Sequence, residues 1–85
     1  MAELATAVIV PALDEAGTVG DVLREYHAVL PGAELVVVDN GSTDGTGEVA
    51  EGVLAELGCP GRVLREPRPG KGIAVRTALR AVQAD

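Results

Sequence analysis

The chain has 85 residues and a formal net charge of −6, from 13 acidic and 7 basic side chains. This charge argues against a polyanionic partner such as nucleic acid, and no apolar stretch approaches the length of a membrane span. Cys59 is the only cysteine and Tyr26 the only aromatic residue. We therefore expect no internal disulfide, a cytoplasmic location and an aliphatic core within one domain, residues 1–85.

The first half of the chain predicts a strand, a helix and a second strand. Residues 5–10 are apolar and β-branched, and we expect Pro11 to end this strand. Residues 18–30 carry apolar side chains at helical spacing, with Tyr26 expected in the core. Residues 33–39 are apolar at almost every position, which is typical of a parallel strand covered on both faces.

The second half repeats this alternation. Residues 46–57 predict a helix with an apolar stripe that includes Val49, and residues 62–66 predict a weaker strand. Residues 67–72 are expected to form a loop, and residues 73–84 a third helix with an alanine-rich face. The order β-α-β-α-β-α with right-handed crossovers indicates an α/β fold, a three-layer Rossmann-like parallel sheet.

The polar and glycine-rich segments follow the three predicted strands. They are residues 11–15, 39–45 and 67–72, whereas the opposite turns carry no charge. Because the carboxyl ends of parallel strands share one edge of the sheet, we expect these loops to meet and form a site there.

The second of these loops has the sequence DNGSTDG. Asn40 offers one acceptor and two donors, which match an edge of a nucleobase, and Asp39 can accept hydrogen bonds from a ribose or base. The alternative for this pair is an Asx-turn. Gly41 allows positive φ or a close approach of ligand. Residues 42–44 are expected mainly to cap the following helix.

The other two loops carry charged residues. Asp14 and Glu15 could bind a cation or a sugar hydroxyl, but their place before a helix favours a helix-terminus role. Lys71, between two glycines, could reach a phosphate at a helix N-terminus or be simply solvated; the P-loop spacing is absent. Arg65 and Arg68 are expected to add positive potential at the same edge.

Taken in order, the segments VIVPALDE, VVVDNGSTDGT and RPGKG resemble the family 2 glycosyltransferases with the GT-A fold. They are similar to glucosyl-phosphoglycerate synthases and to enzymes that load sugars onto polyprenyl phosphates. The resemblance covers residues 7–79. It implies a truncated GT-A fold whose strand order begins 3-2-1, and loops that bind the nucleotide of a UDP- or GDP-sugar donor.

Carried over by position, the resemblance implies a set of nucleotide-binding residues. Three departures from the family pattern are Leu13 in place of a stacking aromatic, Asp14 in place of Asn, and Asn40 in place of a second acid. The last departure keeps uracil possible and mildly disfavours guanine. The implied residues are Pro11, Ala12, Leu13, Glu15, Asp39, Asn40, Gly41 and Lys71.

The family's metal-binding Asp-x-Asp is not found in the 85 residues. The resemblance therefore implies no catalytic residue, metal ligand or cofactor within this chain, and a divalent cation, Mg²⁺ or Mn²⁺, only with a downstream Asp-x-Asp. We expect the isolated chain not to transfer sugar. The first strand would be left as an unpaired apolar edge, which favours self-association or docking of a missing half.

Three other functions remain open on the residues alone. One is a non-catalytic nucleotide-binding or interaction module. The second is a signalling receiver domain, although its phosphoacceptor Asp should follow the third strand and Asp39 follows the second. The third is a dinucleotide-binding domain, although its glycine fingerprint should follow the first strand.

Overall fold

A computed structural model describes residues 6–84, and in it three strands alternate with three helices. The strands are parallel and form one sheet in the order β1-β2-β3, so β2 lies in the centre. This confirms the predicted α/β class, the parallel sheet and the strand order. The elements are β1 (Ala7–Ala12), α1 (Val19–Val29), β2 (Glu34–Asp39), α2 (Thr46–Leu57), β3 (Gly61–Arg65) and α3 (Lys71–Ala84).

The strand register aligns the three carboxyl ends. Ala12 pairs with Asp39, and Asp39 pairs with Arg65, so the last residues of β1, β2 and β3 lie side by side. The connections that follow are the first loop (residues 13–18), the second loop (residues 40–45) and the third loop (residues 66–70). All three therefore begin at the same edge of the sheet, as expected.

Helices cover both faces of the sheet. On one face, α1 and α2 pack on Val10, Leu35 and Val37, with Leu23 fully buried between the layers. On the other face, α3 packs on β2 through alanines. The short alanine side chains, together with the partly buried Val82, cover the remaining valines of β2. The buried residues of this second cluster are Val36, Val38, Ala74 and Ala78.

Pro11 lies inside β1, so the prediction that it ends the strand is wrong. The carbonyl oxygen of Thr6 accepts from Glu34 N, and that of Ala12 accepts from Asn40 N, so alternate residues of β1 face β2. Pro11 is out of phase with these residues, and its missing N–H falls on the outer edge of β1. No bond to β2 is lost there, which is how an edge strand tolerates proline. Ala5, where the prediction began the strand, lies outside the described residues.

Tyr26 is 41% exposed, so its predicted place in the core is wrong. The buried stripe of α1 runs through Val19, Gly20 and Leu23. Gly20 allows α2 to come close, since a Cβ there would lie 3.2 Å from a methyl group of Val53. This contact rotates α1 so that Tyr26 lies on the flank of the stripe.

Two smaller corrections concern the other helices. Val49 is 37% exposed, because the buried stripe of α2 passes through Thr46, Ala50 and Val53 instead. Helix α3 begins at Lys71 and not two residues later, so Lys71 is its first residue. The predicted limits of α2 are confirmed.

Candidate functional site

One cavity lies where the three loops meet. Its volume is about 180 Å³, and β1, the first loop, the second loop, the third loop and the start of α3 all contribute to it. The structure thus brings together six of the eight residues that the sequence singled out, and adds Gly70. The lining residues are Pro11, Ala12, Leu13, Glu15, Asn40, Gly70 and Lys71.

The remaining two of the eight, Asp39 and Gly41, line a neighbouring cavity of about 270 Å³. The Asp39 side chain is 7% exposed; its Oδ1 accepts from Ser42 N at 2.9 Å, and its Oδ2 lies 4.0 Å from Arg65 Nε. Gly41 has φ 87°, which a side chain would strain. Both residues therefore shape the second loop from within, as the turn-forming alternative for Asp39 suggested.

Asn40 lines the cavity of about 180 Å³, with 9% of its surface exposed. Its Nδ2 donates to the carbonyl oxygens of Glu66 at 2.9 Å and Arg68 at 2.7 Å. These two acceptors determine the orientation of the amide, because a reversed amide would direct Oδ1 at two carbonyl oxygens. The expectation that Asn40 offers two donors to a base is wrong, since both hydrogens are engaged. Its Oδ1 receives no hydrogen bond from the described part of the chain.

Asp14 joins the first loop to the second. Its N donates to Ser42 Oγ at 2.8 Å, and its Oδ1 accepts from Thr43 N at 2.8 Å. Asp14 is also the one non-glycine residue with positive φ among residues 6–84, at 50°. Asp and Asn adopt this left-handed conformation more readily than other side chains, which explains the residue type at this position.

The polar residues of the second loop bond mainly to the first loop, so their predicted role as caps of α2 is largely wrong. The N-cap residue of α2 is Gly45, which makes no side-chain cap bond. Asp44 does reach the helix, because Oδ1 accepts from Thr46 N at 3.1 Å, but its Oδ2 accepts from Ala16 N at 3.0 Å. Hydrogen bonds from the Thr46 hydroxyl and then from Ala16 N lower the pKa of Asp44. A further bond joins Glu15 N to Thr46 Oγ1 at 2.8 Å.

Glu66, which is 5% exposed, holds the third loop in place. Its Oε2 accepts two hydrogen bonds from Arg68, from the backbone N at 3.0 Å and from Nε at 2.9 Å. Its Oε1 accepts from Arg68 Nη2 at 2.7 Å and from Thr77 Oγ1 at 2.6 Å. The Arg68 side chain, and after it Thr77, lowers the pKa of Glu66 far below its usual range. The carboxylate in turn raises the pKa of Arg68. The loop is therefore fastened both to itself and to α3.

Neither Arg65 nor Arg68 projects free positive charge, so the expected positive potential from these two residues is wrong. Arg68 is paired with Glu66. The Arg65 Nη2 lies 3.2 Å from Glu51 Oε1 and 3.8 Å from Glu48 Oε2. Sequence spacing did not reveal the partners of Arg65, because they lie on α2.

Lys71 is the one cationic side chain that lines the cavity of about 180 Å³. It is exposed, and it has no ion-pair partner within residues 6–84. Helix α3 carries no acidic residue in its first turn, so the positive end of its dipole adds to the charge of Lys71. An anion at this end of the cavity would therefore meet favourable electrostatics.

Residues 6–84 contain no group of three or more His, Cys, Asp or Glu side chains placed to hold a metal ion. Over the same residues, no helix combines the length and apolar character needed to cross a bilayer. A larger groove, of about 620 Å³, runs along α1 towards the opposite edge of the sheet. It is mostly apolar and lies away from the polar loops, so the smaller cavity is the better candidate for a site.

The sequence profile described as Glycosyl transferase family 2 matches residues 7–85. The chain belongs to glycosyl transferase family 2. This membership confirms the resemblance drawn from the three loop segments, which are the segments that surround the cavity. It also argues against the two alternatives of a signalling receiver domain and a dinucleotide-binding domain.

Relatives of this family 2 chain are known by sequence and by structure. The chain is 37% identical over 79 residues to protein RfbJ of Shigella flexneri, and 39% identical over 83 residues to a glucosyl-3-phosphoglycerate synthase of Mycolicibacterium paratuberculosis. A mannosyltransferase from Pyrobaculum calidifontis, solved in complex with GDP-Man and Mn²⁺, superposes with a TM-score of 0.80 and 34% identity.

These matches cover most of this chain but a smaller part of each relative. They include 93% of the chain in both sequence relatives and 89% in the mannosyltransferase. The chain spans 57% of RfbJ, 25% of the synthase and 24% of the mannosyltransferase. The shared region contains the three strands, the three loops and the cavity.

Sequence reasoning gave no role to Glu66, and it did not anticipate how Gly70 and Arg68 shape the site. Gly70 lines the cavity with φ 118°, and its place beside Lys71 was a signal that could have identified it. Glu66 and Arg68 hold the third loop, and a carboxylate directly after a strand, two positions before an arginine, is a pattern that permits such a pair. The buried Glu66 carboxylate also depends on the hydroxyl of Thr77 in α3, which no local pattern indicates.

Proposed function

We propose that the cavity at the carboxyl edge of the sheet binds the nucleotide of a UDP- or GDP-sugar donor, as the nucleotide-recognition part of a glycosyltransferase. The observation that carries this proposal is the pairing of two groups in one cavity formed by all three loops. Asn40 Oδ1 is an acceptor that no described residue uses, and Lys71 is a cation without an ion-pair partner among residues 6–84. A base and a diphosphate need these two kinds of partner. The mannosyltransferase relative, whose structure contains GDP-Man, supports the assignment.

We assign each lining residue a role from its chemistry. Leu13, with 52% of its surface exposed, offers a flat aliphatic surface to a base, and this surface is weaker than an aromatic stack. The carboxylate of Glu15 can accept from ribose hydroxyls. Asn40 Oδ1 accepts from a base N–H, and Lys71 binds the diphosphate. Pro11 and Ala12 form the wall beneath the base, where β1 ends.

Asp39 and Gly41 act on the nucleotide indirectly under this proposal. The carboxylate of Asp39 holds Ser42 N, and the positive φ of Gly41 turns the chain immediately after Asn40. Both features set the position from which Asn40 enters the cavity. They are positioning residues for the base contact.

Hydrogen bonds between the three loops hold the cavity in shape without a ligand. Asp14 links the first and second loops, and Asn40 links the second and third. Little ordering of the backbone is then needed when a ligand binds, which preserves affinity. We therefore propose that the chain binds nucleotide by itself.

Sugar transfer is a different matter. The described residues do not fit a divalent cation, because no three metal-ligating side chains converge within residues 6–84. We propose that Mg²⁺ or Mn²⁺ and the acceptor are bound by parts of the enzyme other than these 85 residues, and that the chain alone does not turn over a donor. The share of the relatives that it spans, from 24% to 57%, supports this.

Calorimetric titration of the chain with UDP and GDP tests the proposal. Binding of at least one nucleotide is expected, and Lys71→Gln should weaken it about five- to tenfold through loss of the diphosphate contact. Arg76→Gln is the matched control, because Arg76 is an exposed cation of the same helix that does not line the cavity. Absence of heat with every nucleoside diphosphate would refute nucleotide binding. Donor turnover by the chain alone would refute its proposed incompleteness.

A second candidate function, an interaction module without catalysis, is favoured by the edge of the sheet. Among the described strands, β1 pairs with β2 alone. We propose that the outer edge of β1 receives another strand, from a second copy or from a missing half. We also propose that the protein acts in the cytoplasm, where Cys59 stays a thiol.

A further inference from the structure

We infer that this cavity selects uracil over guanine, and that the orientation of the Asn40 amide is what selects it. The inference rests on the proposed nucleotide binding and extends it to the choice of base. It follows from which hydrogen-bonding groups of the cavity are already engaged within the chain.

The group that decides the choice of base is one oxygen atom, Oδ1 of Asn40. Both hydrogens of Asn40 Nδ2 are donated, to the carbonyl oxygens of Glu66 and Arg68. The residue's own N–H is donated to the carbonyl oxygen of Ala12 at 2.8 Å. Asn40 therefore meets a ligand with a single acceptor, in a position that is 9% exposed.

This orientation is held from two sides. Glu66 N donates to the carbonyl oxygen of Asp39 at 2.9 Å, so the backbone carrying one acceptor is itself bonded to the second strand. Arg68, which carries the other acceptor, is held by the Glu66 carboxylate. Rotation of the amide would break two bonds and place oxygen against oxygen, so the cavity keeps an acceptor and no donor at this point.

Uracil matches a single acceptor. Its ring N3–H lies between two carbonyl groups, so one oxygen satisfies the only donor on that edge. Lys71 lines the same cavity and can donate to one of the flanking carbonyls or to the diphosphate. Every polar group on this edge then has a partner from the chain or from solvent.

Guanine does not match. Its N1–H and the adjacent N2 amino group are two neighbouring donors, and they need two acceptors side by side, as a carboxylate supplies. Asn40 supplies one, so the amino group would lose hydration without gaining a partner from Asn40. Glu15 is the other acidic side chain that lines the cavity, but it is exposed, and the ribose hydroxyls proposed above compete for it. Adenine and cytosine place a ring acceptor next to their amino group, which would face Asn40 Oδ1 unfavourably.

The test varies the ligand and leaves the chain unchanged. Titrations compare UDP, GDP and the diphosphate of N3-methyluridine, in which a methyl group replaces the N3 hydrogen. UDP is expected to bind at least about tenfold more tightly than either of the others. Equal or tighter binding of GDP would overturn the inference, as would unchanged binding of the methylated compound, and both results leave the proposed nucleotide binding standing. Failure of all three to bind would overturn the proposed function, and the inference with it.

Discussion

Asn40 holds the third loop through its side chain, because Nδ2 donates to the carbonyl oxygen of Arg68 at 2.7 Å across 28 positions of the sequence. The same nitrogen reaches the carbonyl oxygen of Glu66. One amide thus joins the carboxyl ends of two neighbouring strands. Its remaining oxygen is the group that we propose contacts the base, so the stability of the third loop and the recognition of the base depend on the same side chain.

We expect Asn40→Asp to lower the free energy of unfolding by about 1–3 kcal/mol, because a carboxylate would face two carbonyl oxygens in a buried place. Urea unfolding at neutral pH measures the change. Gln83→Glu is the control, since it makes the same chemical change at an exposed position of α3 and should cost at most about 1 kcal/mol. A midpoint for Asn40→Asp equal to that of the unchanged chain would contradict the described orientation of the amide.

Asp14 contributes to stability in two ways that substitutions can separate, its hydrogen bond to Thr43 N and its tolerance of a positive φ. Asp14→Asn keeps both the acceptor and a side chain that tolerates φ 50°, so the free energy of unfolding should stay within about 0.5 kcal/mol. Asp14→Gly loses the bond to Thr43 N without backbone strain, whereas Asp14→Ala loses the bond and adds roughly 1 kcal/mol of strain. Thermal unfolding of the three variants should therefore give the order Asn, Gly, Ala from most to least stable. An alanine variant as stable as the glycine variant would argue against the left-handed conformation.

Two glycines of α2 are expected to respond to alanine in opposite ways. Gly52 has open space around it, and Gly52→Ala should stabilise the chain by about 0.5–1 kcal/mol through helix propensity. A Cβ at Gly47 would lie 2.6 Å from Arg65 Cζ and 2.7 Å from Asp39 Oδ2. Arg65 can move away, but Asp39 is buried and short, so Gly47→Ala should destabilise the chain by about 1 kcal/mol. Chemical denaturation of both variants tests this, and a stabilised Gly47→Ala would show that Asp39 is free to move.

Glu66 should make stability depend on pH in the acidic range. Its pKa is lowered in the folded chain, so its stabilisation is fully present above the ordinary Glu pKa of about 4.3 and is lost as the pH falls through the lower folded value. Glu66→Gln should therefore be less stable than the unchanged chain at pH 7, and the difference should shrink below about pH 4. Glu25→Gln, an exposed change on α1, is the control and should keep the slope of the unchanged chain. The contrary result is that the free energies of unfolding of the Glu66→Gln variant and the unchanged chain differ by a constant amount from pH 7 to pH 2. That result would exclude a role for Glu66 in the pH dependence of stability.

The outer edge of β1 is expected to mediate association through Ala7 and Ile9, whose N–H groups point away from β2 by the alternation described above. Pro11 offers no donor, so pairing should be confined to the first half of the strand. Sedimentation at increasing concentration should show self-association that Ala7→Pro reduces while the fold persists. Val8→Pro, one residue further on, removes an N–H directed at β2 and should unfold the chain. A chain that is monomeric at every concentration would contradict self-association.

The sequence by itself determined the alternation of strands and helices, the parallel sheet and the meeting of three polar loops. These features follow from local patterns: apolar runs that need cover on both faces, helical stripes, and the rule that parallel strands joined by right-handed crossovers place their carboxyl ends together. Six of the eight candidate residues line one cavity for this reason alone.

Only the tertiary structure decided which partner each polar group takes. Asn40 gives its donors to the third loop, Arg65 meets carboxylates of α2, and Tyr26 moves to the surface because Gly20 brings α1 against α2. Each of these contacts joins residues that lie 14 to 33 positions apart along the chain. No local periodicity encodes such pairs, because each forms only where the fold brings two distant segments together. For the buried Asn40 amide, burial also requires that its donors find partners within the chain.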